Sequence, residues 1–237
     1  MSEPKHVVGL SGGKDSTALA FWLVENEPRD YEFICNETGN ELPEMLEHWE
    51  RLERRLNSKL VRVRHTKDLA GIIEDEKAIP NWRQRFCTRI LKIEPTIKYM
   101  EALPDDSVLY VGLRADEEAR RGIFGEDMNI RFPLREQGWT EADVWAYLKN
   151  LGITIPSRTD CALCFYPRID EWQSLYLNHP DKWAEGERIE AQRGHTFRSP
   201  GRDTWPAGMK ELGEAFASGR QVRKSAPRQC PGRVCSL

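Results

Sequence analysis

The chain has 237 residues, a net charge of −3 at pH 7, 39% hydrophobic and 31% charged residues. That size suits one large α/β domain, or one domain with a small appendage, and it buries a core without disulfide staples. The charge balance argues against a polycation built for nucleic acid, no apolar run is long enough to span a bilayer, and MSEPKHVVGL has no secretory core, so the expected location is the cytoplasm with no membrane partner.

In chain order, His6 to Leu10 reads as a short buried strand, and a helix opens near Asp15, runs toward Glu27 and stops at Pro28. YEFICNET predicts a second strand centred on Phe33 and Ile34. ELPEMLEHWERLERRL is an amphipathic helix, with Leu42, Met45, Leu46, Trp49, Leu52 and Leu56 at helical spacing. KLVRVRH is a third strand and DLAGIIEDE a short helix. CTRILKIEPTIKYMEAL is helical again, with a turn or kink at Pro95, and SVLYVGLR is a fourth strand. This alternation predicts an α/β fold: a mostly parallel twisted sheet with helices on both faces.

After Phe132 the pattern changes. TEADVWAYLKNLG is a capped helix, with Thr140 and Asp143 as a capping box and Gly152 as its stop. Trp145 and Tyr147 on it read as packing residues, and Cys161 and Cys164 fall in a loop after Pro156. IDEWQSLYLNHP, DKWAEGERIEAQRG and AGMKELGEAFASG read as three further helices. The expected division is a nucleotide-binding α/β domain over 1–166, a helical C-terminal subregion over 167–219 and a basic, cysteine-containing tail over 220–237. That tail reads either as a solvated, mobile end or as a basic flap over an anionic substrate.

Ligands of open α/β sheets bind beyond the carboxyl ends of the strands. The polar groups there are Ser11 to Ser16, Asn36 to Glu41 and Arg114 to Glu118. The first of these, a glycine-rich turn between a strand and a helix N-terminus, is a phosphate trap. Its N–H groups face the anion, the helix dipole adds potential, and Lys14 adds a point charge. It is not a Walker A loop, because Asp15 stands where a Ser or Thr must hold Mg²⁺ and the spacing from Gly9 is short by one residue. Chemistry at a γ-phosphate is therefore disfavoured.

Ser11-Gly12-Gly13-Lys14-Asp15-Ser16 resembles the SGGKDS PP-loop of the adenine nucleotide alpha-hydrolase superfamily. NETGNELPE (36–44), WRQRFCTRILKIEP (82–95), GLRADEEARR (112–121) and FPLREQGWTEADVWAYLKNLGITIP (132–156) resemble, in order, segments of its phosphoadenylyl-sulfate (PAPS) reductase group. The resemblance covers about residues 6 to 166. It implies an adenine nucleotide, ATP or else PAPS or adenylyl sulfate, bound with Mg²⁺. The residues implied to hold it are Leu10, Ser11, Gly12, Gly13, Lys14, Asp15, Ser16, Thr17, Glu37, Thr38, Arg89, Lys92, Gly112 and Arg114. Lys14, Asp15 and Arg114 are the implied catalytic residues, with Asp15 a candidate Mg²⁺ ligand. Arg89 and Lys92 read equally as a solvated helix face. Asp116, Glu117 and Glu118 read as partners of Arg120 and Arg121, or as holding Mg²⁺.

Six cysteines in a cytosolic chain do not suggest a disulfide framework. Cys35 reads as strand packing. Cys161 and Cys164 form a C-x-x-C, a metal or redox signal. In related adenylyl-sulfate reductases such a pair joins a Cys-Cys pair around a [4Fe–4S] cluster, but here Phe86-Cys87 replaces the latter. The readings are a cluster on Cys87, Cys161 and Cys164, a fourth ligand from Cys230 or Cys235, or no metal.

The activity the resemblance implies is cleavage of ATP to AMP and pyrophosphate at the α-phosphate. The alternatives are a PAPS or adenylyl-sulfate reductase, or a sulfur-transfer enzyme acting on nucleic acid with a thiol donor or partner protein. PAPS-reductase-like proteins also occur as accessories in phage, plasmid and CRISPR-associated loci. The reductases' C-terminal Glu-Cys-Gly motif has no counterpart here, where the tail reads CPGRVC.

Overall fold

The structure is a computed structural model that describes residues 3–117 and 128–225. Five parallel strands form one sheet in the order β3-β2-β1-β4-β5. They are β1 (His6–Gly9), β2 (Tyr31–Glu37), β3 (Leu60–Arg64), β4 (Val108–Tyr110) and β5 (Ile130–Arg131). Register is set by the pairs Val8 with Phe33 and Val8 with Tyr110 on either side of β1. The chain order reverses between β1 and β4, so a switch point lies beyond the ends of these two strands.

Val7 and Val8 explain why the sheet is covered on both faces. Successive side chains of a strand point to opposite faces, and both valines are fully buried. Val8 joins Leu10, Leu19, Leu23, Trp49, Leu52 and Leu148 in one core. That core lies under α1 (Lys14–Asn26), α2 (Pro43–Leu56) and α7 (Glu141–Asn150). Val7 joins Ile34, Val63, Met100, Leu109 and Val111 on the other face. Each large aliphatic side chain so buried contributes about 1.5–3 kcal/mol.

A third cluster packs α3 (Leu69–Glu76) against the C-terminal helices α8 (Ile169–Asn178), α9 (Pro180–Arg193) and α10 (Met209–Ala217). Leu69, Ile72, Leu163, Trp172, Trp183 and Leu212 are all buried in it. The first tail residues dock here as well. Arg220 stacks over Trp205 at 4.0 Å, and the Ser225 N–H donates to Asp170 at 3.0 Å. Cys230 and Cys235 lie outside the described residues, as do Glu118, Arg120 and Arg121.

Four local expectations change. β4 is three residues long rather than a strand through Arg114, because Leu113 N–H turns back to the Val111 carbonyl. β5, an edge strand of two residues, and the short helix α6 (Pro133–Glu136) have no sequence period to announce them. The helix around Pro95 splits into α4 (Phe86–Thr88), a π-helical turn over Arg89–Ile93 and α5 (Glu94–Glu101). Pro95 thereby sits in the first turn of α5, where its missing N–H costs nothing. Trp145 is 45% exposed and is not a packing residue, whereas Tyr147 packs edge-on against Trp139. The Thr140–Asp143 capping box is present, and Gly152 follows α7 at φ +63°.

Candidate active site

The turn between β1 and α1 is built by its two glycines. Gly12 has φ +85°, a conformation that L side chains rarely adopt, and a Cβ there would collide with Met45 and Trp49. Gly13 caps α1 with extended backbone, and its carbonyl accepts from Thr17 N–H at 3.0 Å and from Ser16 Oγ at 3.1 Å. Ser11 Oγ lies 3.0 Å from Ser16 Oγ, and the Trp49 indole N–H donates to the Ser11 carbonyl at 2.9 Å. His48 is buried beside the same turn. Burial, aided by Arg51 and opposed by the Gly12 backbone, pushes its pKa down to about 4. The ring is therefore neutral near pH 7.

β4 brings Arg114 to this turn. Its guanidinium is 1% exposed, and Nη1 meets Asp15 Oδ1 at 2.9 Å while Nε meets Asp116 Oδ1 at 2.8 Å. Glu117 stands 3.6 Å from the same Nη1. Burial opposes the charge on Arg114, but Asp15 and Asp116 outweigh it and hold its pKa above the ordinary value. Lys14 Nζ takes the other oxygen of Asp15 at 2.9 Å and approaches Glu141 at 3.6 Å. Both carboxylate oxygens of Asp15 are thus occupied by cations. Arg114 Nη2 has no hydrogen-bond partner. A buried donor left so costs about 1–3 kcal/mol, which an anion bound at this end of the sheet would recover. Gly112 lets β4 come this close: a Cβ there would lie 2.9 Å from the Asp15 backbone carbonyl carbon.

A cleft of about 370 Å³ opens above the turn, lined by Ser11, Asn36, Glu41, Trp49, Lys92 and Asp160 among others. Its second wall, residues 158–164, is fastened to the end of β2. Asn40 accepts Ala162 N–H on its carbonyl at 2.7 Å and Leu163 N–H on Oδ1 at 2.8 Å. Arg158 pins the wall from within, with Nε on Asp160 Oδ1 at 2.9 Å and Nη2 on the Cys161 carbonyl at 2.7 Å. Asn36 Nδ2 donates to the Lys92 carbonyl inside the π-turn at 3.1 Å, and this fixes the backbone that carries Lys92.

The comparisons with known proteins point the same way. The sequence model of the phosphoadenosine phosphosulfate reductase domain matches residues 5–160, the span that carries the sheet, the turn and the second wall up to Asp160. The chain belongs to the phosphoadenosine phosphosulfate reductase domain family. An uncharacterised protein of Methanocaldococcus jannaschii is 26% identical over 198 residues, which is 77% of this chain but only 41% of that protein. The NMN synthetase of Francisella tularensis shares the fold at a TM-score of 0.50 and 15% identity, covering 94% of this chain and 89% of its own. The phosphoadenylyl-sulfate reductase of Candida auris, solved as a phosphate complex, superposes at a TM-score of 0.48 and 12% identity over 65% of this chain and 76% of its own.

Within this reductase-family site, the expected nucleotide residues divide. Leu10 is buried, with its N–H on the Ile34 carbonyl at 2.7 Å, and Thr17 is buried in α1 with no partner for its hydroxyl. Both support the turn from beneath. Thr38 is buried, and its hydroxyl bonds Glu41 at 2.6 Å and Cys161 Sγ at 3.3 Å. Lys92 lines the cleft. Glu37 pairs with Arg64 across β2 and β3, and Arg89 pairs with Glu94 on an exposed face, so neither reaches the turn's charge network. Asp116 and Glu117 pair with Arg114 rather than with a distal arginine. His48 and Asp160 build the site and were not singled out by sequence; Met45 and Trp49 were visible only as part of a helical stripe, and Asn40 only as part of the polar stretch after β2.

Cys87, Cys161 and Cys164 line one mainly apolar cavity of about 420 Å³ that shares Lys92, Asp160 and Cys161 with the nucleotide cleft. Among the described residues, however, no group of three or more His, Cys, Asp or Glu side chains is drawn together to hold a metal ion, and no pair of cysteines forms a disulfide. The three thiols share this wall, and Cys230 and Cys235 lie outside the described residues. Cys35 is buried, and burial pushes its thiol up to about 12 despite Arg62, which keeps it inert. The turn suits a phosphate group: it offers a glycine cradle, two converging cations and an unsatisfied buried donor. No helix of the described residues is long and apolar enough to cross a membrane.

Proposed function

We propose that this chain binds ATP with Mg²⁺ and acts at the α-phosphate, transferring AMP to an acceptor oxygen with loss of pyrophosphate; AMP is freed when a second nucleophile displaces it from the acceptor, or directly when water is the acceptor. The observation that supports it is the Lys14–Asp15–Arg114 network at the switch point, with one guanidinium donor still unpartnered. Backbone N–H groups of Gly12 and Gly13 and the N-terminus of α1 receive the leaving pyrophosphate. Lys14 and Arg114 neutralise charge that grows as an acceptor oxygen attacks phosphorus, the bond to the bridging oxygen breaks, and pyrophosphate departs with its electron pair. Asp15 holds the two cations in place. When bound to the phosphates, Mg²⁺ would add further charge neutralisation there.

The test is to incubate the protein with ATP and Mg²⁺ and resolve the nucleotides. AMP with pyrophosphate, lost in Lys14→Ala while the fold survives, supports the reading. ADP with phosphate, or full turnover in Lys14→Ala, refutes it.

A second reading is favoured by one observation: Cys161 lines the same cleft as Ser11. A thiol there suits a sulfonucleotide reductase or a sulfur-transfer enzyme acting on nucleic acid. Turnover of PAPS or adenylyl sulfate with a dithiol reductant, without turnover of ATP, would select it.

A further inference from the structure

α2 does more than cover the sheet. Met45, with His48 and Trp49 three and four residues after it, forms one face of the helix, and that face lies against the phosphate turn. The three are buried, and Met45 and Trp49 are the side chains that a Cβ on Gly12 would strike. The Trp49 indole N–H donates to the Ser11 carbonyl at 2.9 Å. Arg62 holds the indole from behind, its guanidinium 4.6 Å from the ring centroid.

The orientation of one peptide follows from that bond. In a planar trans peptide the C=O and N–H point in opposite directions. A Ser11 carbonyl drawn to Trp49 therefore turns the Gly12 N–H away from α2. Flipping this peptide would turn the Ser11 oxygen toward an incoming anion and withdraw a donor from it. Gly12, at φ +85°, is the kind of residue next to which such a flip is cheap, so the loop's glycines do not fix the orientation by themselves.

We propose that Trp49 is a positioning residue for the phosphate loop: by holding the Ser11 carbonyl it keeps the Ser11–Gly12 peptide turned so that its N–H serves the anion. This rests on the proposed nucleotide reading and extends it to a residue that need not touch the reacting atoms.

The experiment titrates inorganic pyrophosphate by calorimetry into wild type, Lys14→Ala, Trp49→Phe and Trp172→Phe. Trp49→Phe keeps a buried aromatic ring and removes the donor together with part of the indole's volume, a loss that Trp172→Phe reproduces elsewhere in the core. Trp172 is equally buried, but its indole N–H has no partner, so its substitution controls for the loss of a core tryptophan. The expected result is pyrophosphate binding weakened about tenfold in Trp49→Phe and unchanged in Trp172→Phe. A second measurement needs no variant of Trp49: in ¹⁵N-labelled wild type, pyrophosphate shifts the Trp49 indole resonance and leaves that of Trp172 in place. Wild-type affinity in Trp49→Phe, an equal loss in Trp172→Phe, or a silent Trp49 resonance overturns the proposal. If Lys14→Ala loses pyrophosphate while Trp49→Phe keeps it, this inference alone fails. If wild type binds no pyrophosphate, the nucleotide reading fails and takes this one with it.

Discussion

The guanidinium of Arg114 and the carboxylate of Asp15 meet at 2.9 Å across 99 residues of sequence. One follows β4 and the other opens α1, so their pair joins the two strands between which the chain order reverses. Removing Arg114 leaves Asp15 facing Lys14 alone in a mostly buried setting. Arg114→Ala is expected to cost about 3–5 kcal/mol in a denaturant titration and to abolish nucleotide binding. Adding Asp15→Ala restores part of the stability and none of the binding. Arg114→Lys keeps the charge but loses the fork, and its nucleotide affinity falls as well. Wild-type affinity in Arg114→Lys would show that the guanidinium's geometry is not used.

His48 gives the fold an acid-side dependence. Its pKa of about 4 in the folded chain lies below the ordinary value of 6.5, so the unfolded chain binds more protons between those two pH values. Stability therefore rises with pH through that window and is fully present above about pH 6.5. The contribution is about 3 kcal/mol, lost progressively as pH falls toward 4. Urea midpoints measured from pH 4 to 7 should rise less with pH in His48→Gln than in wild type; Glu190, whose carboxyl burial pushes up to about 7, adds the opposite slope to both. Parallel slopes would remove His48 as the cause.

Asn40 fastens the second wall of the cleft to the end of β2 by two bonds to residues 122 and 123 positions later. Asn40→Ala leaves the buried Leu163 N–H unsatisfied, at about 1–3 kcal/mol. It should also loosen the wall, so that iodoacetamide modifies Cys161 several-fold faster than in wild type. An unchanged alkylation rate would mean that Arg158 and the retained bond from Ala162 N–H to the carbonyl of residue 40 are enough to hold the wall.

Sequence reveals most of the sheet and half of the site, for identifiable reasons. The SGGKDS turn is legible because each residue acts locally: glycines for backbone shape, Lys14 for charge and a helix N-terminus for its dipole. Arg114 is legible as a cation at a strand end. Asn40 and Asp160 are not, because their roles exist only once two loops far apart in sequence meet. Trp49 shows only its helical period, and that period is the same whether a stripe faces a core or a phosphate loop. β5 is too short to carry any pattern. Asp15 reads from the sequence as a candidate metal ligand, and only the fold shows that Arg114 and Lys14 stand on its two oxygens.

The thiols should react in the order of their exposure. Cys87 and Cys161 are partly exposed, whereas Cys35 and Cys164 are buried. Mass spectrometry after brief alkylation should find the first two modified before the second two. Cys35 or Cys164 modified as fast as Cys161 would contradict this.

Attack at the α-phosphorus is tested most directly by turnover of ATP in ¹⁸O-labelled water, with water serving as the acceptor and both products read by mass spectrometry. The expected result is label in AMP and unlabelled pyrophosphate. Label in pyrophosphate or in inorganic phosphate, with AMP unlabelled, would place the attack at another phosphorus.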